Sequence, residues 1–107
     1  MSEILTVLCT CPDTATAKSL AAGLVGQGLA ACVNITPEIR SIYRWRGEIH
    51  DDAEVLLIAK TSRLAYGSLE SWLVEHHPYE VPEVLALPVH AGAAEYLDWV
   101  LNEVETR

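Results

Sequence analysis

Residues 29–45 read as one extended stretch, rich in apolar and β-branched side chains and interrupted at Pro37. Drawn straight at about 3.3 Å per residue, it would span roughly 55 Å. The whole chain has 107 residues, and a domain of about that length has a radius of gyration near only 13 Å. A straight strand of that reach cannot lie inside such a body. It must bend, with Pro37 as the place, or the hairpin it opens must project beyond the body. A projecting hairpin that carries Ile42, Tyr43 and Trp45 needs a cover, and another copy of the chain is the economical one.

The remaining patterns fall on either side of this stretch. Ile4 to Cys11 reads as a strand, with Leu5, Val7, Cys9 and Cys11 on one face and Ile4, Thr6, Leu8 and Thr10 on the other. Pro12 and Asp13 stop it, and Asp13 or Thr14 caps a helix whose stripe is Ala17, Leu20, Ala21, Leu24 and Val25. Gly26 and Gly28 end that helix. Gly47 to Asp52 supplies a polar turn region. Glu54 to Thr61 is the next strand, and its continuous apolar centre predicts burial on both faces. Ser62 caps a second helix with the stripe Tyr66, Leu69, Trp72 and Leu73, which stops near His76 or His77 because Pro78 follows. Glu83 to Val89 is a last strand, with Pro88 best placed on an edge. Gly92 precedes a final helix in which Tyr96, Leu97, Val100, Leu101 and Val104 are expected to face inward.

The order is β-α-β-β-α-β with an additional C-terminal helix, in one domain spanning residues 1–107. That is an α+β chain of the ferredoxin-like split βαβ type, an antiparallel sheet with both main helices on one face. The usual strand order of that fold class is 4-1-3-2.

Charge and cysteine usage narrow the function. Fifteen acidic against seven basic residues give a net charge of -8, a field that disfavours nucleic acid and anionic membrane surfaces and tolerates cations. No apolar run reaches the about 18 residues of a transmembrane helix. Met1, Ser2 and Glu3 lack the basic start of a secretory signal, and an odd count of three cysteines argues against a disulfide framework. Both point to the cytoplasm. The mean hydropathy of +0.20 is high for so small a chain, which again assigns some apolar surface to contacts between copies.

Following the strand and helix directions, one edge of the sheet collects the end of the first strand (Cys9, Cys11), the end of the second helix (His76, His77) and the start of the last strand (Glu83). Thiolate, imidazole and carboxylate together suit copper or zinc better than calcium or magnesium, which take all-oxygen shells. The same residues have plainer uses: cysteines as buried strand residues, histidines as helix C-caps. Cys32 reads as core, His50 as part of the solvated turn and His90 as a loop residue. Arg40, Arg44 and Arg46 read as salt-bridge partners or as an anion site. No glycine-rich phosphate loop, no G-x-S-x-G elbow and no loop arginine after the first strand supports catalysis.

The segments LCTCPD (8–13), LAACVNITPEIRSIYRWRG (29–47), AEVLLIAKT (53–61), HHPYEVPEV (76–84) and YLDWV (96–100) closely resemble the CutA divalent-cation tolerance proteins. The resemblance covers essentially the whole chain. It implies the ferredoxin-like fold, a tight homotrimer built like the PII signalling proteins, and long hairpins that reach onto the neighbouring subunit. It also implies binding of divalent cations, copper above all with zinc as another, in metal tolerance rather than catalysis. The metal ligands carry over onto Cys9, His76 and His77, with Glu83 as a further candidate. Cys11 departs from the family pattern, which usually has another small residue there. The alternative is a PII-like signalling or scaffold module that takes a small anion or a partner protein at inter-subunit clefts.

Overall fold

The computed structural model of the chain describes residues 3–104. Met1 and Ser2, which lack the basic start of a secretory signal, lie outside the described residues. The elements are β1 (Ile4–Cys11), α1 (Thr14–Gly26), β2 (Cys32–Ile35), β3 (Ile39–Trp45), β4 (Glu48–Ser62), α2 (Arg63–His76), β5 (Leu85–Pro88) and α3 (Ala94–Glu103). Local chemistry sets the helix starts. Asp13 accepts a hydrogen bond from the Thr16 N–H and Ser62 one from the Ala65 N–H, so each satisfies a donor that the first turn leaves open. Pro78 ends α2 at His76.

The sheet runs β2-β4-β1-β5, with β3 paired to the outer half of β4, and every pairing is antiparallel. With β2 and β3 counted as one broken strand, this is the expected 4-1-3-2 order, and Pro88 lies on the edge strand. The break falls at Pro37. Ile35 pairs with Leu57 and Ile39 with Glu54, so the broken strand carries one residue more than β4 between the two ladders. Such a bulge bends the ribbon. Thr36 bridges the gap through its N–H to the Leu56 carbonyl and its Oγ1, which accepts from the Leu56 N–H.

The expected turn over Gly47–Asp52 is corrected. Trp45 pairs with Glu48, and the turn is only Arg46 and Gly47, with φ of 51° and 82°. Positive φ at both central residues matches the twist of the flanking strands in a two-residue hairpin, which is why glycine stands at 47. Residues 48–52 therefore belong to β4, and His50 sits in the ladder, its ring stacked on Tyr43 at 5.3 Å. The molecule is drawn out to 44 × 25 × 23 Å.

Val7, Cys9 and Cys11 of β1 and Val55, Leu57 and Ala59 of β4 lie under α1 and α2 and form the main core with Leu20, Leu24, Leu69 and Leu73. The opposite face is not buried as the apolar run predicted. Leu8, Leu56 and Ile58 are half-buried, while Leu85 and Leu87 are 56% and 51% exposed. Among the described residues only α3 covers part of that side, where Val100 and Val104 pack with Ile4 and Ala65. The inward stripe expected of α3 is also narrower: Tyr96 and Leu101 stay exposed, because the helix meets the sheet along a single row. Cys32 is half-buried rather than core, with its Sγ 3.5 Å from the Tyr96 hydroxyl. The last strand is shorter than Glu83–Val89. His90 is exposed in a loop, as expected. No helix among the described residues is long and apolar enough to cross a membrane.

Candidate metal centre

Alternation along β1 turns Cys9 and Cys11 to the face under the helices, and both are fully buried. At the end of α2 the chain leaves the helical region at His77, whose N–H still donates to the Leu73 carbonyl at 2.8 Å. This C-cap position carries the imidazole over the end of β1. There the Tyr79 N–H donates to Nδ1 at 3.1 Å, and Nε2 lies 2.9 Å from the Thr10 carbonyl oxygen. Nδ1 accepts, so the proton sits on Nε2 and is donated to Thr10. Two backbone groups thereby fix both the tautomer and the ring direction.

The Sγ atoms of Cys9 and Cys11 and a ring nitrogen of His77 all lie within 4.8 Å of one another, and all three residues are buried. The two thiols are electrostatically unequal. The hydrogen bond that Cys9 donates to Cys11 holds the Cys9 thiol far above its ordinary range, with burial and the charges of Cys11, Glu83 and Glu54 adding to the rise. That same bond pulls Cys11 down, against burial and the nearby carboxylates. Glu54 is buried and accepts from the Tyr79 hydroxyl at 2.6 Å. Burial first, and then this bond, raise the Tyr79 phenol above its usual range.

Of the residues read from the sequence, Cys9 and His77 come together, and Cys11 joins them. His76 and Glu83 stand outside the group. His76 is exposed on the last turn of α2, its ring stacked on Trp72 at 4.1 Å and its Nδ1 2.8 Å from the Trp72 carbonyl oxygen. Glu83 lines an open cleft of about 800 Å³ beside the hairpin, together with Thr10, Tyr43, Asp52, Glu54 and Glu80. Its charge reaches the cluster as one of the influences that raise Cys9. The arginines behave as salt-bridge partners: Arg40 pairs with Asp51 at 2.9 Å and Arg46 with Glu80 at 2.7 Å. Sequence reasoning did not place Cys11 among the ligands, although its spacing from Cys9 put both on one strand face. The Glu54–Tyr79 pair left no such signal, since the two lie 25 positions apart.

An antiparallel split βαβ sheet with a buried sulfur–nitrogen cluster where β1 and α2 end defines an α+β protein of ferredoxin-like type with donors for a thiophilic cation. Residues 5–103 match the family profile of the CutA1 divalent ion tolerance protein, and the chain belongs to that family. The Divalent-cation tolerance protein CutA of Thermus thermophilus is 49% identical over 100 residues, which are 94% of this chain and 95% of that protein. Protein CutA of Homo sapiens is 46% identical over 97 residues, 91% of this chain. The chain spans 54% of that human relative's length. The solved structure of the divalent cation tolerance protein from Thermus thermophilus superposes with a TM-score of 0.93 at 45% identity, over 95% of this chain and 99% of that one.

Proposed function

We propose that this protein serves divalent-cation tolerance as a cytoplasmic homotrimer that holds copper, or a related cation such as zinc, at the rim where β1 and α2 end. Cys9 and His77 are the central ligands, and His76 and Glu83 are outer donors. The observation that carries this reading is the buried cluster of Cys9, Cys11 and His77 within 4.8 Å. Sulfur and imidazole donors suit copper and zinc and exclude a calcium-type shell. To ligate, His77 must give up one of its two backbone hydrogen bonds. His76 spends Nδ1 on Trp72 and keeps Nε2 for a cation. The names of the relatives support the physiological side of the reading.

The same geometry speaks against catalysis. His77 is held by Thr10 and Tyr79 rather than poised to take a proton from a nucleophile. The signalling alternative meets a charge problem. The cleft beside the hairpin is lined by Asp52, Glu54, Glu80 and Glu83, and two of the three clustered arginines are already paired. A small anion gains nothing there.

Calorimetric titration of Cu²⁺ into wild type and a Cys9→Ser, His77→Ala double variant tests the proposal. Loss of the ligands should weaken binding by at least about tenfold, and wild-type affinity should fall as pH drops because protons compete for both donors. Equal affinity in the two proteins removes the site.

A further inference from the structure

Cys11 gives the cluster a chemistry that Cys9 and His77 alone would not have. Two sulfurs on one strand face and a ring nitrogen lie within 4.8 Å of one another. With metal–sulfur bonds of about 2.3 Å and metal–nitrogen bonds of about 2.0 Å, one ion reaches all three after shifts of roughly half an ångström. Both sulfurs are fully buried, so water is kept from the ion. Among the described residues no further cysteine, histidine or carboxylate joins the group. Zinc in a closed site takes four ligands, and the buried cluster itself supplies only three, which leaves the fourth to an outer donor. Thiolates select soft ions, and the soft ion content with two or three donors is monovalent copper.

His77 strengthens the selection. Both of its ring nitrogens are engaged, Nε2 with Thr10 and Nδ1 with Tyr79. The two sulfurs are therefore available to an ion before the imidazole is. A sulfur pair satisfies Cu⁺ on its own, whereas Zn²⁺ or Cu²⁺ needs the imidazole and the outer donors as well.

We propose that Cys9 and Cys11 form a two-sulfur seat for Cu⁺, with His77 as its third donor, and that Cys11 sets the preference for the reduced ion. The proposal rests on the reading of Cys9 and His77 as cation ligands. Binding replaces two S–H bonds with two Cu–S bonds, releases the two thiol protons to solvent and leaves copper as Cu⁺, so no electron is transferred.

The test is an anaerobic titration of the reduced full chain with Cu⁺ buffered by bicinchoninate. It is run on wild type, Cys11→Ala, Cys11→Ser and, as a control thiol outside the cluster, Cys32→Ala. Wild type and Cys32→Ala should bind one Cu⁺ with a thiolate-to-copper charge-transfer band. Loss of the second sulfur should remove that band and lower Cu⁺ affinity on the order of 100-fold. The serine variant answers the question should the alanine variant melt early. Wild-type Cu⁺ affinity in a folded Cys11 variant overturns the proposal, as does a wild-type chain that takes Cu²⁺ but no Cu⁺. The Cu²⁺ titration of the Cys9→Ser, His77→Ala chain fails or succeeds separately, so the loss of one reading is distinguishable from the loss of the other.

Discussion

Glu54 is a buried carboxylate, and the hydroxyl of Tyr79 donates to it at 2.6 Å. A buried acceptor that loses its donor costs more than an ordinary hydrogen bond contributes. Tyr79→Phe should therefore lower stability by about 1–2 kcal/mol at pH 8, read from urea unfolding of the two proteins. The phenol's raised pKa fixes the pH dependence. Folded Tyr79 holds its proton above the ordinary tyrosine value of 10.0, so its contribution is complete below that pH and shrinks as pH rises beyond it. A wild-type minus Tyr79→Phe difference that grows above pH 10 would contradict the assignment. Residues also differ in how far the sequence reveals them. The shared face of Cys9 and Cys11 follows from strand alternation alone. The direction of the His77 ring does not, because it depends on the extended backbone at the cap and on an N–H two residues later.

Elements are legible where a local signal marks them and opaque where two must fit. The caps at Asp13 and Ser62 and the stop before Pro78 stand in the sequence. So does the break at Pro37. The two-residue turn at Arg46–Gly47 does not, since the mostly polar residues 48–52 serve a ribbon exposed on both sides as well as they serve a loop. The contact of α1 with α2 is of the second kind. A Cβ added at Gly23 would lie 2.2 Å from the Trp72 ring. Alanine in a helix interior gains up to about 1 kcal/mol over glycine, whereas overpacking costs about 1–3 kcal/mol. The clash should win, so Gly23→Ala is expected to lower the melting temperature and to disturb the stack of Trp72 on His76. Thermal unfolding gives the sign, and a melting point raised by the substitution would mean that the indole swings aside freely.

At the scale of the molecule, the apolar surface left open has a pattern. Register places Asn34, Ile58, Leu8 and Leu85 in one row across the sheet face that α1 and α2 leave uncovered. Leu87 lies one row away, and at the far end the hairpin exposes Ile42 to 72%. Exposed leucines on a flat sheet face and an extended hairpin are unstable company for water in an isolated chain. Assembly of the proposed trimer through that face would remove them, and it would account for the uninterrupted apolar run from Val55 to Ala59 although one chain buries only alternate positions. The proposed homotrimer should sediment at about 35 kDa, three times the mass of one 11.7 kDa chain. Leu85→Glu places a carboxylate in the row while touching nothing in the main core, so the folded subunit should survive and the trimer should not. The variant is then expected at monomer mass, with a melting temperature below that of wild type, whose own melting point should rise with protein concentration. Monomer mass for wild type at micromolar concentration, or a Leu85→Glu chain that keeps the wild-type mass, would show that the uncovered face is not where the copies meet.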